Sequence, residues 1–276
     1  MTQTMIDDAS LKARHRAMWA LGDYPAVATE VIAELGPTLV EAIAVTSGER
    51  LLDVAAGSGN VALPAARAGA RVTASDLTPE LLETGRAQCA AEGLEIAWET
   101  GDAEALPYAD HRFDVTTSCV GVMFAPHHQA AADELVRVTR SGGRIGLISW
   151  TPAGFIGQMF ATMKPYAPPP PPGASPAPLW GDESHVRALL GDRVVDVRSA
   201  TQVLRITAFP TAEAFRDYFK INYGPTIAVF RSLANQPDRQ AALDHDLAEL
   251  GRRFSTSQDG GMIMDWEYLL VTAVVA

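Results

Sequence analysis

A chain of 276 residues with 47% hydrophobic side chains is long enough for one large domain, or a core domain with a cap, built around a substantial core. Its 33 acidic against 22 basic residues give a formal charge of −11, which argues against nucleic acid or an anionic membrane as partner. No apolar run reaches membrane-spanning length, Met1 to Ser10 is polar and acidic rather than a signal peptide, and two cysteines, Cys89 and Cys119, are too few for a disulfide framework or a metal cluster. A cytoplasmic protein with reduced thiols is the expectation.

Residues 10 to 46 carry Trp19, Tyr24, Val31, Ile32, Leu35, Leu39 and Ile43 at helix-like spacing, with a break at Gly36-Pro37. Such an arm, residues 1–47, could cover a crevice, serve a dimer or simply pack on the core. The stretch Arg50 to Ala62 then reads as a buried strand, a glycine turn and a helix start. Leu51, Leu52 and Val54 form the apolar run of a strand covered on both faces. Gly57 and Gly59 permit a sharp turn and a close approach to a ligand. Asn60 is placed to cap the next helix, whose first N–H groups face the crevice. The pattern G-x-G-x-x-A alone would also suit a dinucleotide. Asp53 is the unusual residue, a carboxylate inside the apolar run. It gains nothing from a pyrophosphate but favours a cationic ammonium or sulfonium.

A second strand, Arg71 to Asp76, ends on an acid about 20 residues after the loop, where a carboxylate can accept both hydroxyls of a ribose. Thr78-Pro79-Glu80 starts a helix that stops at Gly93. Further strands follow at 94–99, 113–118 and 144–150, with a helix carrying Ala131, Leu135 and Val138 between the last two. Strands alternating with helices at this spacing make a parallel, doubly wound sheet with right-handed crossovers. After Trp150 the pattern changes. The run Pro168 to Pro172 favours extended geometry. It is read as a stiff loop beside the site, with a ligand for a proline-binding module as the alternative. A helix at 182–190, strand character at 194–207, two helices between 211 and 254, and a buried last strand at 268–275 complete the chain.

Five blocks in order carry a family resemblance: Leu52 to Gly59, Asp76 to Pro79, Gly101 to Pro107, Phe113 to Val115, and Arg137 to Arg144. Together they cover about residues 48–150, and jointly they are specific where any one is not. The chain resembles the class I S-adenosylmethionine-dependent methyltransferases, in the branch similar to the ubiquinone/menaquinone C-methyltransferases. Trp19 to Tyr24 and Trp150 to Phe155 also look like this branch, while the usual first-loop glycine is Ala56 here. The resemblance implies a mostly parallel seven-stranded Rossmann-like sheet, with a cofactor-binding core at 48–150. The C-terminal part, 151–276, would complete the sheet and carry a substrate cap at about 151–180 and 210–256. S-adenosyl-L-methionine would be the cofactor and S-adenosyl-L-homocysteine its product. Asp53, Ala55, Gly57 and Gly59, with Asn60 beside them, would line the methionine moiety. Asp76 would take the ribose diol and Leu77 would pack on the adenine. Asp102 would accept from the adenine amino group, with the Ala103 amide donating to the ring. Ser118 would lie near the methyl group. Plain structural roles compete with several of these: Asp76 could start the Thr78 turn, Asp102 could be a loop acid, and Ser118 could simply pack. Asp114 reads as a fold-stabilising acid.

Methyl transfer is an in-line displacement in which the cofactor brings the reactivity, so the protein positions, desolvates and, for a hydroxyl acceptor, removes a proton. No metal is required, and no H-E-x-x-H or C-x-x-C spacing suggests one. His127 and His128 follow the fourth-strand tip and are the candidate bases. The alternative is a solvent-facing first helical turn, and the branch often carries an acid at the position of His127. His15, His185 and His245 read as surface residues. Trp19, Tyr24, Met123, Trp150 and Phe155 are the candidate substrate contacts. With the aromatic cap, they favour a flat or hydrophobic small-molecule acceptor, methylated on O or C. Competing functions are a nicotinamide-dependent oxidoreductase on the same loop, against which Asp53 and the Gly101 to Pro107 block speak, and a non-catalytic cofactor-binding protein.

Overall fold

The computed structural model describes residues 8–171, 173–257 and 261–276. The first residues of the Met1 to Ser10 segment and the last proline of the Pro168 to Pro172 run therefore lie outside the described residues.

Seven strands form one sheet: β1 (Arg50–Val54), β2 (Arg71–Asp76), β3 (Ile96–Thr100), β4 (Phe113–Cys119), β5 (Thr139–Trp150), β6 (Val194–Ile206) and β7 (Met264–Val275). Their spatial order is β3-β2-β1-β4-β5-β7-β6. The first five run parallel, and β7 lies antiparallel between β5 and β6. This is the mostly parallel, doubly wound architecture expected. Leu51 and Leu52 are fully buried yet belong to separate apolar clusters, because successive strand side chains point to opposite faces. Each such leucine contributes roughly 1.5–3 kcal/mol of burial.

Helices α1 (Asp8–Trp19), α2 (Tyr24–Ala26) and α3 (Leu35–Ala42) precede the sheet, with a π-helical turn at Val27–Val31. Gly36-Pro37 does not break the arm; both lie in the first turn of α3. Proline is tolerated there because its missing N–H would be unpaired anyway. A Cβ on Gly36 would sit 1.7 Å from the Asn60 carbonyl oxygen, so only glycine lets this helix meet the loop after β1.

Helices α4 (Ala62–Arg67), α5 (Pro79–Ala91) and α6 (His128–Val138) connect the parallel strands. The C-terminal part adds α7 (Phe155–Met163), α8 (Glu183–Leu190), α9 (Ala212–Asn222), α10 (Gly224–Ser232) and α11 (Pro237–Phe254). The last three lie in sequence between β6 and β7. Phe155, Phe215, Phe219 and Trp266 are all buried in their core, with the Phe155 and Trp266 rings stacked at 5.0 Å. No helix among the described residues is long and apolar enough to cross a membrane.

Candidate active site

At the carboxyl ends of β1, β2 and β4 a cleft opens, enclosing about 860 Å³ including its part open to solvent. Open α/β sheets bind ligands at this position. The turn after β1 is tight: Ala55 has φ 53° and Gly57 φ 57°, a left-handed geometry that costs an alanine more than a glycine. Opposite it, Val120 just past β4 has φ 45°, an outlier for a β-branched residue. Both strained residues line the cleft, where strain often accompanies function.

Asp76, at the tip of β2, is buried and faces the cleft. Its Oδ2 accepts the Gly57 N–H at 2.8 Å and its Oδ1 accepts the Thr78 N–H at 2.8 Å. Burial pushes its pKa up, opposed by these amide bonds. Each carboxylate oxygen keeps a further lone pair for a ligand. Thr78 precedes α5 but makes no side-chain cap bond. Its buried Oγ1 has no partner, and the residue lines the cleft. Leu77, Leu81, Asp102 and Ala103 form the wall beyond it. Asp102 is partly exposed, and its Oδ1 accepts the Glu104 N–H at 2.9 Å.

Of the residues singled out in the sequence, the cleft wall brings together Ala55, Gly57, Asn60, Asp76, Leu77, Asp102, Ala103, Trp19 and Tyr24. Others do not line it. Asp53 lies beneath the loop, 1% exposed. Its Oδ2 accepts the Ala62 N–H at 3.0 Å and its Oδ1 accepts from Thr117 Oγ1 at 3.2 Å. Asp53 therefore serves the start of α4, the role expected of Asn60, whose amide instead donates to the Ile32 carbonyl at 3.3 Å. Gly59 faces the Trp98 ring, 2.7 Å from where its Cβ would stand. Ser118 donates to the Val54 carbonyl at 2.7 Å and accepts the Val122 N–H at 2.8 Å, which fixes the β4 exit.

Neither His127 nor His128 reaches the cleft wall. The His127 Nδ1 lies 2.9 Å from Glu104 Oε2. His128 is buried against His185, with Nδ1 and Nε2 at 2.9 Å, and burial pushes its pKa down to about 4. Met123 and Phe155 are fully buried core residues. Trp150 lines a second, tightly packed pocket with a cavity of only about 20 Å³, together with Tyr223, Phe219, Trp266 and Ile156. Tyr24, Val120 and Phe124 wall both spaces.

Lys12, which the sequence does not mark, and His15, which it reads as a surface residue, both lie on the cleft-facing side of α1 with Trp19; their spacing of three and four residues is the helical signal that points to a shared face. Burial pulls the His15 pKa down, against the pull of Glu104.

The donor set fits an adenosyl sulfonium. Asp76 and the unpartnered Thr78 hydroxyl suit a sugar diol, the Leu77, Leu81 and Ala103 wall suits a flat base, and Asp102 suits an amino group.

A model of the "Methyltransferase domain" family matches residues 51–143. An uncharacterized protein of Mycobacterium tuberculosis is 52% identical over 267 residues, covering 97% of this chain and 96% of that one. A ubiquinone/menaquinone biosynthesis C-methyltransferase, UbiE, of Roseobacter denitrificans is 39% identical over 117 residues, covering 41% of this chain and 47% of its own. The crystal structure of the YcgJ protein from Bacillus subtilis superposes with a TM-score of 0.59 at 18% identity, covering 88% and 98% of the two chains; this shares the fold.

A doubly wound sheet whose strand tips present a glycine turn and spaced carboxylates puts the chain in the Rossmann-like class. Within that class, residues 51–143 form a methyltransferase domain, and the chain is an S-adenosylmethionine-dependent methyltransferase of class I, as its sequence implied, rather than the nicotinamide-dependent alternative.

Proposed function

We propose that the enzyme methylates oxygen or carbon of a small aromatic or hydrophobic metabolite. One observation carries this reading: the cleft adjoins an aromatic-walled space through Tyr24, Val120 and Phe124. Trp19 meets Tyr24 at 5.4 Å, Phe124 at 4.7 Å and Tyr223 at 5.7 Å, all edge to face. Such rings bury an apolar ligand well and offer little to a phosphate or a sugar.

S-adenosylmethionine, when bound, supplies an electrophilic methyl group. Asp76, Asp102 and the Gly57 turn would hold it, while α1 and the aromatic rings exclude water. Burial raises the pKa of Tyr24 and Tyr223 and that of the Cys119 thiol, so these groups stay protonated at neutral pH and none of them serves as the base. His15 is held neutral by burial and lines the cleft, so it can take a proton at a ring nitrogen where a hydroxyl acceptor needs one lost.

The test is turnover of isotopically labelled S-adenosylmethionine with a panel of single-ring phenols, polyketide-like enols and, as controls, sugar phosphates. Label should appear in a phenol or enol. Label confined to the sugar phosphates would refute the proposal.

A further inference from the structure

Helix α1 crosses the cleft yet buries only one residue, Leu11. Hydrophobic packing alone is a weak hold on a twelve-residue helix. Trp19 packs its C-terminal end; what ties down the N-terminal end is one ammonium. Lys12 Nζ lies 2.6 Å from Asp102 Oδ2, 2.9 Å from Glu104 Oε2 and 2.8 Å from Asp8 Oδ2. The Lys12 side chain is 16% exposed and that of Glu104 is 4% exposed, so the contact is screened far less than a surface pair. Glu104 also accepts the His127 N–H at 2.7 Å, which extends the tie from the β3–β4 loop to the start of α6. Burial pulls the Lys12 pKa down, but its bonds to Asp102, Asp8 and Glu104 outweigh this and raise it.

We propose that Lys12 is a positioning residue for the cofactor: its ammonium pins α1 across the cleft and holds the Asp102 carboxylate ready for the amino group of the base. Asp102 has one oxygen on the Glu104 amide and the other on Lys12, so its plane is fixed before a ligand arrives. Each oxygen still keeps a lone pair. Without the ammonium, Asp8, Asp102 and Glu104 repel one another and the strap has no anchor at this end. Arg16, one turn further, pairs with Glu80 only at 3.6 Å, with both side chains about half exposed, and it does not line the cleft.

S-adenosylhomocysteine is the probe, because it needs no acceptor. Titration calorimetry and stopped-flow fluorescence should show Lys12→Met weakening it by roughly ten-fold or more, as loss of a charged hydrogen bond implies. The loss should lie mainly in faster dissociation. Lys12→Arg should recover most of the affinity, and Arg16→Gln should match wild type. Trypsin cleavage after Arg14 should be slowed by the ligand in wild type but not in Lys12→Met. If Lys12→Met keeps the wild-type affinity and dissociation rate, or if Lys12→Arg is as impaired as Lys12→Met, the assignment fails. The acceptor proposal is untouched by either result, since no acceptor is present.

Discussion

Asp76 Oδ2 accepts the Gly57 amide N–H at 2.8 Å, so the tip of β2 holds the turn that follows β1. The carboxylate that would meet the ribose is thus also a brace for the loop that would meet the methionine end. Asp76→Asn replaces one accepting oxygen by a donor that faces another donor. S-adenosylhomocysteine affinity should fall at least about ten-fold, and unfolding free energy should drop by about 1–3 kcal/mol. Calorimetry and thermal unfolding measure the two together. An unchanged dissociation constant would remove Asp76 from the site.

Asp53 should leave a signature in the pH dependence of stability. Burial pushes its carboxyl up to about 7, against the bonds from Thr117 and the Ala62 amide and with a further push from Asp76. The unfolded value is about 3.9, so between these limits the folded state binds the extra proton. The contribution of Asp53 is therefore greatest below about pH 4, is lost as pH rises to about 7, and is flat above that. Asp53→Asn removes the titration. The difference in unfolding free energy between wild type and variant should shift against wild type across that window in urea titrations. A difference independent of pH would show an ordinary carboxyl.

Gly121 is the point where the β4 exit touches the β1 turn. A Cβ there would lie 2.4 Å from the Ala55 carbonyl oxygen and 2.9 Å from the Ala55 Cβ. Neither neighbour is a flexible side-chain end, so one of the two strained segments must move. Gly121→Ala should cost about 1–3 kcal/mol as overpacking and should also abolish measurable S-adenosylhomocysteine binding. A variant with wild-type affinity would show that the two segments need not touch.

At the opposite end of the strands, Asp114 receives the Arg50 N–H and guanidinium and the Arg140 Nε. These bonds, led by Arg50, hold its carboxyl well below the usual range. Its stabilisation is present above about pH 4 and is lost as pH falls toward the depressed value. Asp114→Ala should destabilise the protein by about 1–3 kcal/mol at pH 7 without altering cofactor affinity. A change in affinity comparable to that of Asp76→Asn would contradict the separation of these two acids.

The sheet was legible because its strands are short apolar runs set between glycine-terminated helices, and Leu51 and Leu52 read as buried on both faces in either view. Asp76 is legible because it ends a strand, where chain position fixes the direction faced; Leu77, Asp102 and Ala103 are legible only through the family resemblance of the blocks that carry them. The charge of Asp53 points to a ligand contact, yet the side chain turns under the loop, where it accepts the Ala62 amide and the Thr117 hydroxyl. His127 and His128 were chosen for chemistry and position past β4. Their orientation depends on Glu104 and His185, distant in sequence. Lys12 and His15 were hidden by ordinary helix composition; only the path of α1 over the cleft gives them a part.

The register of β6 against β7 pairs Ile206 with Met264, so the segment carrying α9, α10 and α11 departs from and returns to the same rung of one ladder. Tyr223 and Phe219, which wall the inner space, ride on that excursion. Lengthening, trimming or replacing it leaves both anchoring strands hydrogen-bonded to each other. If that space takes the acceptor as proposed, acceptor choice can drift, or be grafted from a homologue, while the nucleoside half of the enzyme stays as it is.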